Sequence, residues 1–169
     1  MVWIAGQTVG AGGGTITFSS IPQTFTHLQL RIFAQPYFAS VTNGPLALRF
    51  NSDSGANYTR HAVAGDGASA FSYGTTGNSA AFIDRFRFAP SGSVFTPAVV
   101  DILDYTNTSK NTTVRSIGGY DNNGDGDIRF CSSLWLNTAA ISLITIVETL
   151  NQNSRIDLYG ITSSSVTGA

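Results

Sequence analysis

Short stretches of strictly alternating apolar and polar residues, each closed within a few positions by Gly, Pro, Asn or Asp, recur along this chain. Alternation with period two places successive side chains on opposite faces of an extended backbone, and it does not suit a 3.6-residue helix. Thr15-Ile16-Thr17-Phe18 puts Ile16 and Phe18 on one face, and 27–32 puts Leu28, Leu30 and Ile32 inward with Gln29 and Arg31 outward. Leu46, Leu48 and Phe50 alternate with Ala47 and Arg49, and within 82–88 Phe86 and Phe88 lie opposite Arg85 and Arg87. Further strands are expected at 94–105, 112–117, 127–136, 141–149 and 155–161. In 94–105, Asp101 and Asp104 fall on opposite faces, which predicts a bulge or bend.

The gaps carry turn chemistry: Thr42-Asn43-Gly44-Pro45, Asn51-Ser52-Asp53-Ser54-Gly55, Gly65-Asp66-Gly67 and Asn122-Asn123-Gly124. These residues supply positive φ or side-chain-to-backbone bonds. No segment of useful length has helical period, and 169 residues suit one domain. Nine or ten strands at this spacing predict an all-β fold, a single-domain antiparallel β-sandwich that is jelly-roll-like. Gly6, Gly10, Gly12, Gly13 and Gly14 mark residues 1–14 as a flexible Gly-rich N-terminal arm. Residues 15–161 form the sandwich domain, and 162–169 a Ser/Thr-rich tail.

Charge narrows the function. Asp, Glu, Lys and Arg make up 11% of the chain, under half of the roughly 25% usual in soluble domains. Ser, Thr, Asn and Gly supply the polarity instead, which suits surfaces that another protein will cover. Lys110 is the only lysine, eight Arg complete the positive charge, and no basic run exists. A nucleic-acid partner, which needs a cationic stripe, is not expected. The start, Met-Val-Trp-Ile-Ala-Gly, has no basic region or long apolar stretch, and no run approaches a membrane span. Neither a signal peptide nor a membrane partner is expected. The triplets beginning at Asn57, Asn107 and Asn111 match the glycosylation pattern but read as turn and strand composition.

Candidate chemistry is thin. Cys131 is the single cysteine and sits in an apolar run, as a buried inert thiol would. Asp121-Asn122-Asn123-Gly124-Asp125-Gly126 fits the first half of a calcium loop, yet the twelfth position is Ser132 where Glu is needed. A structural turn is the expectation. His27 and His61 lack metal-ligand spacing to any carboxylate or thiol, and Gly12-Gly13-Gly14 lacks the lysine of a phosphate loop. Asp101 and Asp104 invite comparison with glycosidase carboxylates, but Glu148 is the single Glu and most Asp lie in turns. No catalytic, cofactor or metal residue is expected.

The segment Phe18-Ser19-Ser20-Ile21-Pro22-Gln23-Thr24-Phe25-Thr26-His27-Leu28-Gln29-Leu30-Arg31 resembles small virion proteins of tailed bacteriophages, cyanophages among them, which carry an FSSIPQTYxHLQLR-like stretch. The likeness continues through 48–58, 100–111 and 134–141 and ends at 154–161, and the loops between residues 62 and 96 depart from it. A partner-specific surface is expected in those loops.

The resemblance implies a non-enzymatic virion structural protein, a capsid decoration (cement) protein that binds the major capsid protein on the outer capsid surface after synthesis in the bacterial host cytoplasm. The alternative is a tail- or fibre-associated receptor-binding module that contacts the host surface. The resemblance also implies a homo-oligomer, with three copies as the expected number. At the mobile end, Val2, Trp3 and Ile4 are costly to leave in water, at about 1.5–3 kcal/mol each; they either fold back on their own domain or dock on a neighbouring subunit, and are the candidate partner contacts.

Overall fold

The computed structural model describes residues 1–38, 42–88 and 94–163. All regular structure among them is strand. In chain order these are β1 (Val2–Thr8), β2 (Thr17–Phe18), β3 (His27–Ala34), β4 (Asn43–Phe50), β5 (Tyr58–Gly65), β6 (Ala70–Asn78), β7 (Ala81–Arg87), β8 (Thr96–Leu103), β9 (Thr112–Asn122), β10 (Asp125–Trp135), β11 (Ile144–Ile146) and β12 (Arg155–Ile161).

Two antiparallel sheets face each other. The larger runs β1-β12-β3-β8-β9-β10-β5-β6 and the smaller β2-β11-β4-β7. Without the hairpins β5–β6 and β9–β10, the remaining order is β1-β12-β3-β8 over β2-β11-β4-β7. The chain alternates between sheets and pairs early strands with late ones, which is the jelly roll. Both extra hairpins add to the larger sheet beyond β8, so eight strands face four, and β7 packs across β9 and β10.

The alternating residues make the core as expected. Leu28, Leu30, Val100, Ile102, Ile156 and Leu158 from the large sheet meet Leu46, Leu48, Phe50, Phe86, Ile144 and Ile146 from the small one, and all are fully buried. Burying each such side chain contributes about 1.5–3 kcal/mol. At the end of β4, Phe50, Tyr58 and Trp135 pack ring to ring at centroid distances of 5.5, 6.1 and 6.3 Å. The turn Asn51-Ser52-Asp53-Ser54-Gly55 is built around them. Asn51 and Ser52 take φ of 50° and 61°. The Trp135 indole donates to Asp53 Oδ2 at 2.7 Å, and the Tyr58 hydroxyl donates to the Asp53 carbonyl while accepting from the Phe50 amide. The Trp135 hydrogen bond holds the Asp53 carboxyl below its ordinary value, against partial desolvation.

Three expectations need correction. Residues 2–8 are not a detached arm: β1 forms the edge of the large sheet, paired with β12 from Val2 opposite Gly160 to Thr8 opposite Arg155. Both ends of 9–14 are tied down too, because Val9 is buried and exchanges backbone bonds with Asn153 and Ser154, and Gly14 bridges Leu150. Without β1, the outer backbone groups of β12 would lack strand partners, which is the drive to recruit it. Gly6 is a close-approach glycine, since a Cβ there would lie 2.2 Å from Asp157 Oδ1. Second, of the bulge or bend expected within 94–105 the chain makes the bend and not the bulge: β8 keeps one register and ends at Leu103, and Asp104 turns the chain at φ 50°. Third, twelve strands stand where nine or ten were expected. Of the tail, Ser163 bonds Thr26, and 164–169 lie outside the described residues.

Two outcomes follow. Tyr58→Phe leaves the buried Phe50 amide without its acceptor and is expected to cost about 1–3 kcal/mol in denaturant unfolding. Glu148, which accepts the Ala47 amide at 2.8 Å, is pushed by burial above its ordinary value of 4.5, with that hydrogen bond opposing. A raised carboxyl stabilises the fold when protonated, so its contribution is present below pH 4.5 and lost as pH rises through the folded value. Glu148→Gln is therefore expected to melt higher than the parent at pH 7 and to lose that part of the pH dependence. The loss of the Asp53 contribution begins only below its own ordinary value of 3.8, so melts across the pH range separate the two.

Candidate interaction surface

Part of the outward face of the large sheet is apolar, where an antiparallel sheet facing solvent is ordinarily polar. Val63, Phe130, Ile117 and Val99 stand directly opposite one another across β5, β10, β9 and β8. Beside this row lie Ile128 and Pro97, and Phe33, whose ring stacks on Phe95 at 5.2 Å. Phe33, Val63, Ile117, Ile128 and Phe130 are between 44% and 61% exposed. Scattered apolar residues on a surface are ordinary, whereas a contiguous set marks a contact surface.

Glycine shapes this face. Gly65, Gly119 and Gly126 leave a hollow of about 670 Å³ walled by Phe95, Pro97, Ile117 and Ile128. A second hollow of about 500 Å³ lies against Val63, Phe130 and His61. Both are open depressions on the sheet surface.

Toward the β1 edge the charges on this face are spent on one another. Arg155 grips Asp157 through two hydrogen bonds of 2.7 Å, and the Trp3 indole donates to the same carboxylate at 3.3 Å. The Arg155 contact leads in holding the Asp157 carboxyl below its ordinary value. Arg31 donates to Gln29, which donates to Asp101 at 2.7 Å.

The three candidate contacts at the N-terminus separate. Trp3 is 58% exposed opposite Tyr159, and Val2 is exposed at the strand's start. Alternation after Trp3 turns Ile4 onto the core, and the bulge between Trp3 and Ala5 brings Ala5 there as well, opposite Leu158. Asp121–Asp125 is a β-hairpin connection: Asn122 pairs with Asp125, and Asn123 and Gly124 both take positive φ, as a two-residue type I′ turn requires. Asp125 engages Arg87 at 3.1 Å, and Asp121 Oδ1 accepts the Gly124 amide. Among the described residues, no three of His, Cys, Asp or Glu gather as a metal site would need. His27 Nδ1 accepts the Asp104 amide at 2.9 Å, and Asp104 also holds Lys110, so Asp104 and Asp101 serve different contacts and do not face one another across a cleft. Cys131 is buried.

Sequence pattern missed the inversion in β10. Asp127, Arg129, Cys131, Ser133 and Trp135 point inward, and Ile128 and Phe130 point out. Asp127 and Arg129 side chains are each 6% exposed and meet through bonds of 2.6 and 2.9 Å, while Arg129 also donates to the Tyr73 hydroxyl at 2.6 Å and lies over the Phe71 ring. The signal was present: the parity that buries Trp135 and Cys131 necessarily buries Arg129 and exposes Phe130.

Removing one partner of so buried a pair strands the other's charge. Asp127→Ala is expected to cost about 3–5 kcal/mol in denaturant unfolding, and replacing both residues by apolar ones far less. Comparison with protein-family models, with curated proteins and with solved structures finds no match for this chain.

Proposed function

We propose that this chain is a non-enzymatic structural protein of a phage virion that binds the outside of the capsid as a decoration protein and stabilises the shell. The observation that carries the proposal is the contiguous apolar row on the outward face of the jelly roll, centred on Ile117 and Phe130. A face of this kind releases ordered water when covered, and Arg115, two residues along β9 from Ile117, is the charge that flanks its centre. The scarcity of lysine across the chain suits a surface built to be covered by protein. The resemblance carried by residues 18–31 supplies the phage context, the major capsid protein as partner and the number three for the assembled copies.

Trp3 remains a candidate contact at the rim of the same face, on the β1 edge, and Val2, exposed beside it, lies opposite Gly160 on the other side of the sheet. Ile4 is withdrawn from that role because it packs inward.

Ile117→Glu tests the proposal. The side chain is half exposed, so the substitution is expected to change stability by no more than about 0.5 kcal/mol, yet it places a charge in the middle of the contact. Co-sedimentation with capsids lacking the protein should show binding by the parent and its loss in the variant. Labelling of intact particles should place the protein across the shell; a signal confined to the tail tip would overturn the capsid assignment in favour of receptor binding.

A further inference from the structure

The sandwich has four sheet edges, and three are defended against pairing with another chain. β2 has two residues, β7 carries Arg85 and Arg87, and β1 is broken by the bulge at Ile4. Short strands, charges and bulges are the usual means of blunting an edge. The fourth edge, β6, has none of these along Ala70–Thr75. The register there is continuous with β5, from Gly65 opposite Ala70 to Arg60 opposite Thr75, and the bulge falls only beyond it. The sequence Ala-Phe-Ser-Tyr-Gly-Thr contains no charge and no proline, and Phe71 is 40% exposed. Among the described residues, no strand lies on the outer side of β6.

We infer that β6 is a self-association edge, and that its occupant is β6 of a second copy, antiparallel about a two-fold axis through Ser72. An uncharged strand is complementary to itself, because no like charges are brought together and each backbone donor finds an acceptor. With Ser72 opposite its own counterpart, Phe71 of one copy faces Tyr73 of the other, an aromatic cross-strand pair that covers the exposed Phe71 ring. Ser72 lies opposite Val63, at the end of the row Val63-Phe130-Ile117-Val99. The two-fold therefore joins the outward faces of two copies into one surface. This contact is independent of attachment to a shell and is tested without capsids.

Sedimentation equilibrium of the full chain is expected to give an even number of copies: two, or six where a trimer also forms. Ser72→Lys and Ser72→Glu, each at an exposed position, place like charges across the two-fold. Each is expected to weaken self-association by roughly tenfold or more while keeping the strand spectrum in circular dichroism. An equimolar mixture of the two variants restores pairing, because opposite charges then meet. In the unmodified chain, amide exchange at Ala70–Thr75 slows as concentration rises. A parent that sediments as a single copy, a trimer whose mass neither variant changes, or β6 amides whose exchange ignores concentration would overturn the inference.

Discussion

The fold turns on unequal cover: an eight-stranded sheet lies against a four-stranded one. Where the two overlap fully, alternation works in the ordinary way, and Leu28, Leu30, Leu46 and Leu48 form a dry core. Beyond β8 the cover narrows to β7, which carries arginines. The inner face of β9, β10, β5 and β6 is consequently closed with arginine, aspartate and tyrosine. Arg60 lies over Tyr73 and Phe82, Arg87 over Tyr120, and Arg129 over Phe71 and Tyr73. Planar guanidinium groups stack on rings and hold carboxylates in a fork, which lysine does less well. The preference for arginine in this chain has a structural basis there.

The same constraint makes part of the outward face apolar. Once Asp127 and Arg129 are committed inward, the pleat obliges Ile128 and Phe130 to face out. Isoleucine at 117 and valine at 63 continue that choice onto the neighbouring strands. The polar residues inside and the apolar residues outside are thus one feature seen from two sides. The proposed contact with a shell uses the outer half of it.

Edges are the second demand on such a wide sheet. β1 closes one side by pairing with β12, held by the backbone ladder and by Trp3 on Asp157. The other side ends at β6 without bulge or charge along its first six residues and, among the described residues, without a strand beyond it. A sandwich that blunts three edges and leaves the fourth plain has one edge suited to pairing.

The sequence by itself determined the all-β class, the inward residues of β3 and β4, and the turn at Asn123-Gly124, because each depends on neighbours along the chain. The pleat fixes which of two adjacent side chains turns inward, and two consecutive positive φ angles call for Asn-Gly. Tertiary structure decided the rest. Whether residues 2–8 hang free or form a strand depends on β12, more than 140 positions away, offering an unpaired edge. β6 was invisible because Gly74, Gly77 and three hydroxyl residues give no apolar period. Its extended form is imposed by the ladder with β5. In β10 the sequence carried two opposed signals, Cys131 and Trp135 on one parity and Ile128 and Phe130 on the other, and packing decided between them. Ile128 and Phe130 had the hydrophobic claim, and Asp127 and Arg129 went inward because the register with β9 and β5 fixed the strand's face along its whole length.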